Sequence, residues 1–286
     1  MPLASLFQVA AMVFAATSLV VFGDTAGKLL TGGGASPVFV AWSRFVLGAL
    51  LLSPFSGLNR AELAYFRHPK LVLRALFIVG GISCILTALR TEPIADVFGA
   101  FFVGPVVSYL LAAVFLGERI SPLRTLLLLM GFAGVMLVVK PGFGATPGIA
   151  LALLAGCFYG AYLMMTRAVA GQYRPRFLLV SQLIIGAVVL TPFGATAHWP
   201  DAELPVLGLI LLSAVGSAMG NYILVIANRV ASATVIAPLI YSQLIAATTV
   251  GVLVFGEWPD AVALAGLCVI AASGFGTLLV VRRAVH

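Results

Sequence analysis

The sequence predicts an all-α integral membrane protein of ten transmembrane helices, built as two inverted five-helix repeats with both termini cytoplasmic. Three observations lead there. Of the 286 residues, 62% are hydrophobic and 9% charged, and the mean hydropathy is +1.16. A soluble domain carries roughly a quarter charged residues, so a water-soluble globular enzyme is excluded. Apolar runs of about 20 residues, the length that crosses a bilayer, recur along the whole chain. The chain also repeats itself: Ala88-Leu89-Arg90 is answered by Ala227-Asn228-Arg229 and Gly117-Glu118 by Gly256-Glu257, both at one common offset. Ser53-Pro54-Phe55 is answered by Thr191-Pro192-Phe193 at one position less than that offset, a single small indel away.

Taken in order, residues 1–23 carry no charge. A cleaved signal peptide opens on a basic segment and has a shorter apolar core, so this stretch is predicted to begin an uncleaved first span, 4–30. The next four spans are predicted at 36–55, 70–90, 92–116 and 121–140. The second group of five falls at 147–169, 175–194, 204–227, 231–255 and 260–281. Connectors are short, and the joint between the third and fourth spans, Arg90 to Glu92, is the tightest. Pro105 and Pro238 interrupt the fourth and ninth spans, where each frees a backbone carbonyl. At the common offset Pro105 answers Leu244 and not Pro238, so the two kinks are expected one to two turns apart.

Basic residues set the orientation. With the N-terminus inside, the cytoplasmic side holds Arg60, Arg67, Lys70, Arg74, Arg119, Arg124, Arg167, Arg174, Arg176, Arg229, Arg282 and Arg283. Lys28, Arg90 and Lys140 fall outside, and Arg44 lies within a span. Twelve against three is a strong bias, and it explains the net charge of +7 as a topology signal without nucleic acid as a partner. Five spans per half is an odd number, so the second half, 142–286, enters the membrane upside-down relative to the first, 1–141. Inverted repeats of this kind exchange conformations between halves to give alternating access.

Cys84, Cys157 and Cys268 lie far apart inside apolar runs, and His68, His198 and His286 lie in loops or at the terminus. That pattern offers no metal site and calls for no cofactor. An intramembrane charge is costly and should face protein or water with a partner. Asp24 and Arg44 both come out roughly 10–12 Å below the outer surface at 1.5 Å per residue, and Lys28 follows Asp24 by one turn. They read as a structural ion pair, or as a gate or a carboxylate anchor for a zwitterionic substrate. Asp96 follows Glu92 by one turn, with Arg90 nearby, which suits either proton coupling or plain solvation at the outer mouth. Nearer the midplane stand Ser83, Cys84, Thr87, Phe98, Phe101, Phe102, Tyr159, Tyr162, Gln182, Ser217, Asn221, Tyr222, Tyr241 and Gln243. An apolar pocket with a few hydrogen-bonding groups suits a small amphipathic solute, while any one of these residues can also be packing glue between helices. Glycines four apart, Gly23/Gly27, Gly156/Gly160 and Gly216/Gly220, mark close helix contacts. The last span of each half is expected to be a peripheral support.

The stretch from Ala88 to Pro141 resembles the EamA-type domain of the drug/metabolite transporter superfamily. It carries an Ala-Leu-Arg opening, Pro105 midway through the following span, the turn Leu116-Gly117-Glu118-Arg119 and a glycine-containing last span. Ile236-Ala237-Pro238 through Gly274 repeats the pattern, with Phe255-Gly256-Glu257-Trp258 at its turn. Arg44-Phe45 and Lys28 also look like family positions. Gln182 departs from it, standing where the repeat would place a second Arg44, and Asp24 and Asp96 have no place in it. The resemblance implies a multi-pass transporter in the bacterial inner membrane that moves small organic metabolites. Thr87 to Pro105 looks most like amino-acid exporters of the YddG type. A proton-coupled exporter of cationic compounds is the alternative within the superfamily. An intramembrane enzyme would need paired acids, a nucleophile with its base, or metal ligands inside the membrane, and none is present in the spans.

Overall fold

A computed structural model describes residues 3–92, 94–140, 146–201, 203–256 and 258–283, with side chains left undescribed at 3–5, 94–96 and 281–283. The side chains of Asp96, Arg282 and Arg283 and the whole of Glu257 therefore lie outside the described residues. Every described element is helical. In chain order these are α1 (Leu3–Gly32), α2 (Pro37–Leu52), a short α3 (Arg60–Leu63), α4 (Pro69–Thr91), α5 (Ile94–Phe101), α6 (Gly104–Leu116) and α7 (Pro122–Val139). The second half supplies α8 (Pro147–Ala170), α9 (Pro175–Gly194), α10 (Leu204–Val230), α11 (Ala233–Ile240), α12 (Gln243–Val250) and α13 (Ala261–Arg283). Nine helical stretches among the described residues are long and apolar enough to cross a membrane, and α2 is a shorter apolar helix of 16 residues.

Local sequence sets the ends. Proline occupies one of the first two positions of α2, α4 and α6 to α10, where its missing N–H is no loss and its fixed φ suits the first turn. The predicted second span runs to residue 55, but α2 stops at Leu52. Pro54 has no N–H with which to continue the helical ladder, and its ring crowds the carbonyl one turn back. Gly117 after α6 and Gly256 after the ninth span have φ of 64° and 69°, a left-handed conformation that costs glycine nothing. They stand at equivalent places in the two halves.

The fourth and ninth spans are both broken, and the breaks coincide where their prolines do not. α5 ends at Phe101 and α6 begins at Gly104; α11 ends at Ile240 and α12 begins at Gln243. Both pairs of positions keep the offset of the sequence repeat. At both breaks an N–H at the equivalent position reaches back only three residues, from Val103 to Ala100 O at 3.3 Å and from Ser242 to Leu239 O at 3.1 Å, and the second break adds Leu244 to Tyr241 O and Ile245 to Ser242 O. The expectation of kinks one to two turns out of register is thus corrected. Pro105 starts the second half-helix, whereas Pro238 lies inside the first, so two different placements of proline give breaks in register.

Packing joins the halves. α1 lies along α10, α4 along α8, α2 against α9 and α7 against α13. Glycines make these approaches possible. A β-carbon on Gly220 would stand 2.5 Å from Ala16 O of α1, one on Gly156 2.5 Å from Phe101 O, and one on Gly160 2.5 Å from Gly104 O. Gly156 and Gly160 therefore seat the broken fourth span directly on α8. Gly160→Ala is expected to push α8 away from the start of α6 and cost about 1–3 kcal/mol, the usual size of an overpacking penalty. Thermal unfolding in detergent measures it, and a melting temperature equal to wild type would contradict the seating.

Helix ends meet at two opposite faces. On one, Ser36 N–H bonds His198 O, Lys140 pairs with Asp260, and Thr146 donates to Glu92 at 2.7 Å. On the other, Arg174 grips Glu62, and Glu118 accepts from Arg167 and from the backbone N–H groups of Ala233 and Thr234. The two are called below the Asp260 face and the Glu118 face.

Candidate functional site

A cavity of about 270 Å³ opens toward the Asp260 face between α1, α4, α5, α7, α12 and α13. Asp24 and Lys28 line it together with Phe98, Leu244, Phe255 and Trp258, and Trp258, 81% exposed, marks its mouth. The last turn before Gly256, Gly251–Phe255, is a π-helix, a local widening that recurs at functional sites. It places the Phe255 ring 4.5 Å from the Lys28 ammonium. α7 supplies Val138 and Val139 to the wall and α13 supplies Ala263. The last span of each half is therefore part of the cavity and more than the peripheral support expected of it.

Asp24 is not paired with Lys28, although the two are one helical turn apart. Its Oδ1 lies 2.7 Å from Arg44 Nη1. Arg44 is buried and uses its other nitrogens on Ser213 Oγ at 2.8 Å and Gly23 O at 2.9 Å. Burial decides the choice, because a guanidinium inside the bundle needs a carboxylate while a lysine at the mouth reaches water. Arg90 is exposed, and the Asp96 side chain lies outside the described residues. Glu92, its expected like-charged neighbour, accepts from Thr146 at the start of α8.

Below the cavity an aromatic series crosses the bundle. Phe98 stacks with Phe102 at 6.0 Å, Phe101 meets Tyr159 at 5.2 Å, and Tyr159 stacks with Tyr162 at 6.2 Å. Phe102 also meets Tyr241 at 6.0 Å, edge to face. These two occupy equivalent positions in the two breaks, and both are fully buried. The Tyr241 hydroxyl is buried without a hydrogen-bond partner among the described residues, and so is Ser83 Oγ.

Sequence reasoning misses Arg74. It counts this residue only as one of the charges of the cytoplasmic side, yet Arg74 sits on α4 with 1% exposure. It donates to Thr166 Oγ1 at 2.8 Å, Leu178 O at 2.9 Å and the Tyr162 hydroxyl at 3.1 Å, and its guanidinium stands 4.9 Å from the Tyr162 ring. Its place a turn inside a span is the available signal, since an arginine there faces protein by necessity. Arg44 thus clamps α2 to α1 and α10, and Arg74 clamps α4 to α8 and α9. A second, water-sized cavity lies between Arg44, Gln182, Ser217 and Asn221.

Other candidates do not converge. Thr87 is exposed and bonds back to Ser83 O of its own helix, so its expected place in the pocket is corrected. Gln243 is buried at the start of α12 and lines neither cavity. Among the described residues no three His, Cys, Asp or Glu side chains are grouped to hold a metal.

At the Glu118 face, Arg174 donates to both Glu62 oxygens, at 2.8 and 2.6 Å, and to Gly57 O. Asn59 and Glu62 form a capping box on α3. The Arg174 hydrogen bonds hold the Glu62 carboxyl below its ordinary value of 4.5. A depressed carboxyl stabilises the fold above its unfolded value and loses that contribution as pH falls through the folded one. Glu62→Gln is therefore expected to cost about 1 kcal/mol near neutral pH, the upper end for a partly exposed ion pair, and nothing once both states are protonated. Melting temperatures of the two proteins that fail to converge in acid would contradict this.

The two halves carry the same signature. Residues 3–140 and again 146–280 match the EamA-like transporter family. The chain belongs to the EamA-like transporter family. Similar proteins include an S-adenosylmethionine uptake transporter of Rickettsia bellii, 25% identical over 81% of this chain and 80% of that one. A riboflavin transporter of Rhizobium johnstonii is 30% identical over 68% of this chain and 64% of its own length. The pseudopaline exporter CntI of Pseudomonas aeruginosa is 25% identical over 83% and 93%. A protein of known crystal structure superposes with a TM-score of 0.77 over 98% of this chain and 99% of that one, at 17% identity, a likeness of fold alone. This EamA-like chain is a multi-pass membrane transporter of small molecules, not an enzyme.

Proposed function

We propose that the chain moves amino acids or similar small amphipathic metabolites outward across the bacterial inner membrane by alternating access. In this reading residues 1–141 and 142–286 are inverted five-span repeats, ten spans in all, with both termini in the cytoplasm and the Asp260 face outside. The coincidence of the two helix breaks, with Phe102 against Tyr241 at their meeting point, is the observation that carries it. Equivalent residues touch where an axis relates two halves, and broken helices in matching positions mark the substrate route. The pairings of α1 with α10 and α4 with α8 are exchanged by the same axis, which supports the same reading.

The cavity supports an anionic group on the solute. Arg44 occupies Asp24, which leaves the Lys28 ammonium, held over the Phe255 ring, to meet a substrate carboxylate, with apolar walls for the side chain. A cationic drug would find no free carboxylate among the described lining residues. Proton coupling rests on Asp96, and Asp96→Asn tests that part separately by removing the pH dependence of transport.

Uptake of labelled amino acids into proteoliposomes, with and without counter-substrate inside, tests the whole. Counter-substrate is expected to accelerate uptake through the purified protein. Movement no faster than through empty liposomes for every amino acid would overturn the reading.

A further inference from the structure

The two arginine clamps, near opposite faces, end on either side of the small cavity. Its volume is about 10 Å³, the space one water molecule occupies by this measure, on the order of 10–15 Å³. Four polar residues line it, and all four are more than nine-tenths buried: Arg44 at 2%, Gln182 at 2%, Asn221 at 4% and Ser217 at 6% exposure.

The hydrogen-bond directions are fixed by what each group is able to do. Arg74 only donates, so the Tyr162 hydroxyl accepts from it at 3.1 Å and sends its own proton to Gln182 Oε1, also at 3.1 Å. That fixes the Gln182 amide and leaves its NH₂ as a donor without an acceptor among the described residues. Asn221 donates to Ser217 O at 2.8 Å, and its Oδ1 is buried with no partner. Arg44 has five N–H donors, and its three bonds to Asp24, Ser213 and Gly23 leave two. The residues that line the cavity thus include two with unused donors, Gln182 and Arg44, and one with an orphaned acceptor, Asn221. An unpaired buried carbonyl is costly, and a water with about three such partners is the ordinary remedy.

We propose that one ordered water occupies this cavity and closes a continuous hydrogen-bonded chain from Asp24 through Arg44, the water, Gln182 and Tyr162 to Arg74. The chain runs across both halves and joins the clamp on α1, α2 and α10 to the clamp on α4, α8 and α9. Its role in a transport cycle, making the release of one clamp felt at the other, rests on the alternating-access reading; its existence does not.

The test is a thermal-stability cycle on the purified full-length protein in detergent, which needs no transport. Ser213→Ala removes the Arg44 bond to Ser213 Oγ from the first clamp, together with the Ser213 bond to Gly23 O, and Thr166→Val removes one bond of the second; both are mild enough to leave the protein folded. The sites share no partner, so without a connecting chain their melting shifts should add. With the chain, the double variant is expected to differ from the sum by about 2 °C or more. Asn221→Leu, which fills the cavity with hydrocarbon, should restore additivity, and Ser217→Ala, which leaves Asn221 Oδ1 in place, should preserve the coupling. Additive shifts in the wild-type background would overturn the proposal. So would an experimental structure at a resolution that shows buried waters with this cavity empty. If the cycle couples while proteoliposomes move no solute, the chain stands and the transport reading falls.

Discussion

Arg44→Met is expected to destabilise the protein by about 3–5 kcal/mol, the cost of removing one partner from a buried ion pair. The side chain lost is nearly inaccessible, and the one left behind, the Asp24 carboxylate, is 14% exposed and faces the inner reach of the cavity. Ser213 Oγ would keep Gly23 O as its acceptor at 3.1 Å, so the penalty falls on Asp24. The sharper expectation is the rescue. Asp24→Asn in the Arg44→Met background removes the stranded charge and should recover most of the loss. Melting temperatures of the single and double variants in detergent decide it. A double variant as unstable as Arg44→Met alone would mean that the bonds to Ser213 and Gly23 O, and not the ion pair, hold α2 to α1 and α10.

That ion pair is half legible in the sequence. Depth along the first two spans brings Asp24 and Arg44 to one level, and rise per residue alone is enough for that. The helical turn between Asp24 and Lys28 suggests a competing pair, and only the burial of Arg44 decides between them. Spans are legible because crossing hydrocarbon needs length and apolarity, and both are written locally. Which face of a span meets protein is not, since lipid and protein interior are equally apolar and a helix buried in either reads the same. Thr87, which is exposed, and Gln243, which lines neither cavity, stand apart from the expected pocket for this reason. Arg74 is hidden by the success of the orientation rule, which sorts basic residues by the end of the helix they stand near and is blind to whether they face in or out. The helix breaks are hidden in another way. Proline marks both spans, but the bends fall at Ala100–Val103 and Leu239–Ser242, set by where the two half-helices must meet. Gln182 is the instructive departure. It stands near the place of a second Arg44 and lines the same small cavity, where α2 packs on α9. Two arginines there would repel, so in the inverted-repeat reading the symmetry of the halves has to break at that contact.

Arg74→Met is expected to abolish most transport while leaving the fold at least as stable. The two effects have separate causes. Among the described residues no carboxylate lies within ion-pair distance of Arg74, and its partners are two hydroxyls, a carbonyl and the face of the Tyr162 ring. Burying a charge against neutral partners is expensive, and an unbranched apolar side chain of similar length avoids the cost. Replacement of buried charges by well-packed hydrophobic residues is often neutral or stabilising by about 1–4 kcal/mol. The hydroxyls released by the change are not stranded: Tyr162 keeps Gln182, and Thr166 is able to bond back along its own helix, as Thr191 does to Ala187 O. In the alternating-access reading, the Arg74 clamp holds α4, α8 and α9 together at the Glu118 face while the cavity is open on the other side, and it has to part when the cycle turns over. Methionine should leave the closed packing intact and remove the hydrogen bonds whose making and breaking link the two arrangements. Proteoliposome uptake should therefore fall at least about tenfold, the effect of a change of about 1.4 kcal/mol in a rate-limiting step, with a melting temperature equal to or above wild type. Full transport by a stable Arg74→Met protein would reduce the clamp to packing. A variant that unfolds would show that the guanidinium stabilises the bundle more than its burial costs.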